Sequence, residues 1–247
     1  LVGKSFGVLT LRVNEYDFDF ALPRTETKIG LSHQDFEVIT NASLSFKEAA
    51  IRRDFTINAI GYDFFKEEFI DPFDGIEDLK TKTIKHINDK TFIEDSLRVY
   101  RAVAFASRFN FKIEEKTKEL CKQIVLKNEL KYLPKERVYE EFKKLFLKSS
   151  KPSIGFELMR EIGILKYFSE LQALINCIQE PEYHPEGDVW VHTMMALDEM
   201  ARILKEENIE NDYKELYLFY SILCHDFGKP FCTEEINGKI TSHKHKS

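Results

Sequence analysis

Glu94-Asp95-Ser96-Leu97-Arg98-Val99-Tyr100-Arg101 is the stretch on which the reading of this chain turns. Read as one helix, it sets Glu94 four residues and Asp95 three residues before Arg98, so the three side chains share a face. A carboxylate and a guanidinium held side by side offer an acceptor and a forked donor, a set that can pair with the edge of a nucleobase. Solvated helices carry acid–base pairs at the same spacing, worth about 0.3 kcal/mol each. On this stretch alone the two readings stand level. Farther on, Arg101, Arg108 and Lys112 stay near the polar face, and Leu97, Tyr100 and Ala104 turn toward a core.

Upstream lies Arg52-Arg53-Asp54-Phe55-Thr56-Ile57-Asn58-Ala59. Two adjacent arginines suit phosphate or ribose contacts, and Asp54 is placed to orient one of them; an ion-paired helix end would use the same residues. Phe55, Ile57 and Ala59 are core candidates either way. Residues 6–22 alternate as strands, and Asp17-Phe18-Asp19-Phe20 puts both carboxylates on one face. Paired carboxylates are hard ligands for Mg²⁺, but a solvated strand face looks the same. Residues 43–51 read as a helix, and 61–65 with 69–71 as a hairpin. Asp71-Pro72-Phe73-Asp74-Gly75 is turn chemistry.

Beyond about Asp89 the pattern is helical almost to the end, broken near Pro134, Lys151-Pro152 and Glu180-Pro181. Lys131, Lys135, Arg137, Lys143, Lys144 and Lys148 form a basic set that fits an RNA backbone or a plain solvated face. Near the C-terminus, His192, the adjacent His225-Asp226, His243 and His245 are candidate ligands of one divalent cation.

The chain has 247 residues, 43% hydrophobic and 32% charged, which places it among globular proteins of one to three domains. Its longest apolar run, near Leu216 to Cys224, is too short to span a bilayer, so no membrane partner is expected. Four cysteines without CxxC spacing argue for reduced thiols in the cytoplasm and against a zinc knuckle. A net charge of −6 leaves any RNA contact to local basic patches. The start at Leu1 suggests a piece of a longer protein.

Taken in order, the 52–59 stretch, Asp71-Pro72-Phe73-Asp74-Gly75-Ile76-Glu77-Asp78-Leu79, Glu94-Asp95-Ser96-Leu97-Arg98 and Glu136-Arg137-Val138-Tyr139-Glu140-Glu141-Phe142 resemble the successive motifs of bacterial class II tRNA nucleotidyltransferases. These are the CCA-adding enzymes, close relatives of bacterial poly(A) polymerases. His184-Pro185-Glu186, His192-Thr193 and Leu223-Cys224-His225-Asp226-Phe227-Gly228-Lys229 resemble the HD phosphohydrolase domain fused to some of them.

The resemblance implies an α+β protein in three parts. These are a partial nucleotidyltransferase head or palm over 1–86, a helical neck and body over 87–180, and a partial, all-α HD domain over 181–247. By it, Glu94, Asp95 and Arg98 select CTP and ATP by base contacts, and Arg53 and Arg101 meet the incoming nucleotide. Arg52 and Asp54 support its sugar–phosphate side, and Asp19 corresponds to an acidic residue on a catalytic strand. Expected partners are tRNA, CTP and ATP. Expected cofactors are Mg²⁺ for transfer and Mg²⁺, Mn²⁺ or Ni²⁺ at the HD ligands.

Three departures accompany the resemblance. The family's first motif, a Gly-Gly turn with a D-x-D strand, does not occur, so these residues alone are expected not to transfer nucleotides. Ala104 stands where members often carry arginine. The sequence reaches Ser247 before the last aspartate of an HD set. Competing expectations are a poly(A) polymerase or an A- or CC-adding enzyme, an HD phosphohydrolase acting on 2′,3′-cyclic phosphates or 2′-nucleotides, and a non-catalytic RNA- or nucleotide-binding remnant.

Overall fold

The computed structural model describes residues 8–28, 36–209 and 211–242. The fold is α+β and resolves into two compact units, Leu1–Arg98 and Val99–Ser247.

In the first unit, β1 (Val8–Val13) and β2 (Tyr16–Ala21) form an antiparallel hairpin, turning at Asn14 with φ 56°. The register pairs Leu9 with Phe20 and Leu11 with Phe18, while Thr10 faces Asp19 and Arg12 faces Asp17. The expected alternation therefore holds, with one apolar and one polar face. Both faces are open: Phe18 and Phe20 keep 47% and 56% of their surface. A second hairpin joins β3 (Arg24–Lys28) to β4 (Phe36–Thr40). The short helix α1 (Phe46–Ala50) begins at Ser45, whose hydroxyl and backbone N–H form a capping box with Glu48.

The strands β5 (Gly61–Asp63) and β6 (Glu68–Ile70) make the expected hairpin, with shorter arms. Asp63 ends the first arm, because its carboxylate accepts from the N–H groups of Phe65 and Lys66 at 2.9 and 3.2 Å.

Asp71 takes the N–H groups of Gly75 and Ile76, both at 2.8 Å, and so starts α2 (Gly75–Lys80). From α2, Asp78 accepts a 2.7 Å bond from the Thr56 hydroxyl. A Cβ on Gly75 would sit 2.4 Å from the Thr56 carbonyl oxygen. The Asp71–Gly75 turn therefore holds the 52–59 loop in place by direct backbone approach. Gly75→Ala is expected to cost about 2 kcal/mol by forcing that backbone apart; an unchanged denaturant midpoint would contradict the assignment.

The unit continues through β7 (Thr83–Ile84) to α3 (Asp89–Glu94), which Asn88 caps through the N–H groups of Lys90 and Thr91. Phe55 and Phe92 are fully buried and meet edge-on, ring centres 6.0 Å apart.

Next come α4 (Arg98–Phe109), β8 (Lys112–Ile113), α5 (Glu115–Leu126), α6 (Lys135–Lys148), α7 (Ser153–Ile162) and α8 (Ser169–Ala173). After them run α9 (Val189–Glu206), α10 (Asp212–Cys224), α11 (Lys229–Cys232), β9 (Thr233–Ile236) and β10 (Lys239–Ser242). The breaks expected near Pro134, Lys151-Pro152 and Glu180-Pro181 all fall between helices. The core of the second unit is aromatic: Phe146 stacks on Phe219 at 5.1 Å and Phe142 packs against Phe156 at 6.1 Å. Trp190 is fully buried and donates its indole N–H to Glu157 at 2.5 Å, tying α9 to α7.

The expectation of an all-α C-terminal part is corrected, because β9 and β10 form an antiparallel hairpin. Asn237 and Gly238 both take positive φ, 54° and 76°, the backbone of a two-residue turn whose twist matches the strands it joins. Among the described residues, no helix is long and apolar enough to cross a membrane.

Candidate nucleotide loop and metal cluster

The 52–59 loop is built to hold its own shape. Residues Thr56–Asn58 form one turn of 3-10 helix after an extended Phe55. One carboxylate oxygen of the buried Asp54 accepts from the Phe55 N–H and from the Asn58 side-chain amide, both at 2.9 Å. Arg53 closes the loop by donating to the Asn58 carbonyl at 2.6 Å.

The single helix expected through Glu94, Asp95 and Arg98 is not present. Helix α3 stops at Glu94, and Asp95 is extended, with φ −119° and ψ 97°. Its side chain accepts from the Leu97 N–H at 3.1 Å, and its carbonyl from the Arg98 N–H at 3.0 Å. Asp95 thus acts as the cap that starts α4, a task short acids perform better than they continue a helix. Glu94 ends one helix and Arg98 opens the next, so the shared face derived from i,i+4 spacing does not apply.

What brings the motif together is Arg98 itself. One terminal nitrogen donates to the Thr91 carbonyl at 2.7 Å, and the other to the Arg52 carbonyl at 2.5 Å. The guanidinium therefore ties α3 and the 52–59 loop into one site. Each terminal nitrogen carries two N–H groups, so bracing the backbone and meeting a ligand are chemically compatible.

The remaining candidates are spread more widely. Asp19 lies on the exposed polar face of β2 and accepts from the Thr10 hydroxyl at 2.6 Å; Asp17 pairs with Arg12 at 3.8 Å. Arg101 sits 3.7 Å from Glu141 and packs over Phe105 at 5.4 Å. Glu141 is 4% exposed and also receives Lys144 at 2.7 Å. Nothing in the sequence marked Glu141 as the partner of Arg101, because the two lie on different helices forty residues apart. Of the basic set on α6, Lys143 faces Asp212 at 3.3 Å and Lys144 is held by Glu141, while Lys135 and Arg137 stand in its first turn.

The histidine set does converge. His192, His225 and Asp226 present ligand atoms within 4.8 Å of one another, as do His184, Glu186 and His192. His243 and His245 lie outside the described residues. A Glu186 oxygen takes Nδ1 of His184 at 3.0 Å and Nδ1 of His192 at 2.6 Å. Nδ1 of His225 donates to the Ile222 carbonyl at 2.6 Å. The Nδ1 contact with Glu186 leaves Nε2 of His192 as its lone-pair atom, while Nε2 of His225 faces Asp226 at 3.1 Å.

Electrostatics agree. The backbone N–H of Glu186 and then the two histidines hold its carboxyl down to about 2. Burial opposes ionisation of Asp226, but His225 and Lys229 outweigh it and keep that group at about 2. Its Oδ2 is buried and lacks an aligned hydrogen bond, although Lys229 and His225 come within 2.8 and 3.1 Å. An ionised buried carboxylate beside two histidine rings fits a divalent cation, which would take the place of the Lys229 and His225 contacts. His184 and Glu186 stood in the HD resemblance but not among the expected ligands, and they lie on a loop, where no periodicity marks them.

With that geometry in place, comparison with known proteins gives the class. Residues 1–85 match the poly A polymerase head domain, and residues 110–175 match the probable RNA and SrmB-binding site of polymerase A. The chain belongs to the class II tRNA nucleotidyltransferase and poly(A) polymerase family. It is 39% identical over 222 residues to the Multifunctional CCA protein of Mannheimia succiniciproducens, covering 88% of this chain and 51% of the relative. The chain thus spans about half the length of the curated relatives it matches. Among solved structures it resembles a CCA-adding enzyme in apo form II, with TM-score 0.64 and 25% identity over 90% of this chain and 49% of the other. It also resembles a tRNA-processing enzyme with CTP, with TM-score 0.56 and 26% identity over 90% of this chain and 62% of the other.

Proposed function

We propose that this chain is the nucleotide-selecting part of an enzyme that adds CCA to tRNA 3′ ends in the cytoplasm from CTP and ATP, without a nucleic-acid template. The observation that carries the reading is the Arg98 bridge between the Thr91 and Arg52 carbonyls, which makes one site of two separate motifs. Asp95 and Arg98 meet the base edge, Glu94 supports them, and Arg53 faces the triphosphate. Arg52 and Asp54 shape the sugar side. Lys135, Arg137, Lys143 and Lys144 form the tRNA-facing side of α6, and Asp19 is the acid of the palm strand. The 39% identity to a Multifunctional CCA protein favours CCA addition over poly(A) synthesis.

Mg²⁺ is the expected cofactor of transfer, where it would stabilise charge on the phosphates. Among the described residues, only Asp17 and Asp19 share the polar face of β2, and neither belongs to a three-ligand group. No metal-dependent step is assigned to that hairpin.

A second reading rests on the histidine cluster, which supports an HD-type phosphohydrolase acting on 2′,3′-cyclic phosphates or 2′-nucleotides. His192, His225 and Asp226 would hold Mg²⁺, Mn²⁺ or Ni²⁺, which would supply an activated water. His184 and Glu186 orient His192.

Calorimetric titration with the four nucleoside triphosphates tests the first reading. CTP and ATP are expected to bind, with GTP and UTP at least about tenfold weaker, a difference of one well-placed polar contact. ATP alone would point to poly(A) synthesis, and four equal affinities would sink the base-selecting assignment.

A further inference from the structure

The second unit contains a large cavity that none of these roles uses. It encloses about 580 Å³ and is mostly apolar. Its walls are unusually rich in rings: Tyr100 from α4, Tyr139 and Phe142 from α6, Tyr167 and Phe168 ahead of α8, and Tyr220 from α10. Tyr139 and Tyr220 lie nearly parallel, 9° apart with centroids at 6.5 Å, a stacked pair contributed by two helices. Lys131 and Lys135 also line it, and neither has a carboxylate partner among the described residues. Glu170 is the one acid on the wall, so the lining charge is net positive.

We infer that this cavity seats one unstacked base of an RNA single strand, with Lys131 and Lys135 meeting the flanking phosphates. Aromatic walls favour a planar ring whatever its sequence, and two lysines on the same lining favour a polyanion attached to it. A lipid chain or an apolar peptide would use the rings but leave the two ammonium groups without a purpose. The inference rests on the RNA-binding part of the proposed function, and eleven of the sixteen lining residues fall within the 110–175 match.

Cys224 lines the same cavity and is exposed, which supplies a reporter. Burial raises its thiol above the ordinary range, so labelling is best run near about pH 8.5. The experiment measures alkylation of each cysteine by iodoacetamide, read by mass spectrometry, on the full chain with metal chelated. Probes are a short oligoadenylate and inorganic polyphosphate of matched charge, with oligonucleotide binding followed in parallel by fluorescence anisotropy.

Oligoadenylate is expected to slow Cys224 labelling about tenfold and polyphosphate to leave it unchanged, with Cys177 as the internal control. Tyr139→Ala is expected to weaken oligonucleotide binding about tenfold and remove the protection. If the oligonucleotide binds while Cys224 labels at its free rate, or if polyphosphate protects equally, the base seat is overturned and general RNA binding stands. If no oligonucleotide binds at all, both fall.

Discussion

Arg98→Ala is expected to abolish the proposed preference for CTP and ATP and to loosen the first unit at the same time. The wild-type guanidinium satisfies the carbonyls of Thr91 and Arg52 with two short charged hydrogen bonds. Bonds of this kind contribute about 1.5–3 kcal/mol each when buried, and Arg98 is only half-buried, so a loss of about 2 kcal/mol in unfolding free energy is expected. Nucleotide binding should weaken more than stability suggests, because the same side chain sets the distance between the 52–59 loop and Asp95. Arg98→Lys separates the two effects. An ammonium is a single point charge and cannot span two carbonyls as a planar fork does, so it should restore part of the stability and none of the selectivity. Thermal unfolding and calorimetric titration of both variants measure this. A variant that keeps wild-type discrimination between CTP and UTP removes Arg98 from the site.

That double role was only partly legible in the sequence. The candidate residues and their order were readable, because Arg52-Arg53-Asp54 and Glu94 to Arg98 carry side chains suited to a nucleotide, and the structure joins the two stretches through Arg98 and the Arg52 carbonyl. Their geometry was not. The i,i+4 spacing of Glu94 and Arg98 looks like one helical face, but Asp95-Ser96 is also a helix start, and the local cap won over the periodicity. The Asn237-Gly238 turn was a readable signal for a hairpin, overridden by the helical pattern before it. The Asp17–Phe20 alternation gave the strand and its faces correctly. Partners that meet only through tertiary packing, such as Arg101 with Glu141 or Arg98 with the Arg52 carbonyl, leave no pattern along a single chain.

The histidine–carboxylate cluster proposed to hold a metal allows a sharper division of roles, because its two carboxylates make different predictions. Asp226 presents a buried carboxylate oxygen beside His192 and His225, now neutralised by Lys229, which is where a direct ligand would sit. Asp226→Asn should therefore weaken Mn²⁺ or Ni²⁺ binding by more than roughly 100-fold, since a neutral amide neither carries the charge nor competes with water for the ion. Glu186 instead engages the Nδ1 atoms of His184 and His192. Glu186→Gln keeps an acceptor there and loses only the charge that orients the rings, so roughly a tenfold loss is expected. Lys229 complicates the site usefully. Its ammonium stands 2.8 Å from Asp226 and 2.6 Å from the side-chain oxygen of Gln179, so an arriving divalent cation must share or displace it. Lys229→Met should then tighten metal binding while Asp226→Asn destroys it. Calorimetry with each ion, in a chain otherwise intact, decides the matter: equal losses for Asp226→Asn and Glu186→Gln would make both carboxylates direct ligands. No binding by the unaltered chain would leave the cluster a hydrogen-bonded brace between α9 and α10 rather than a metal centre.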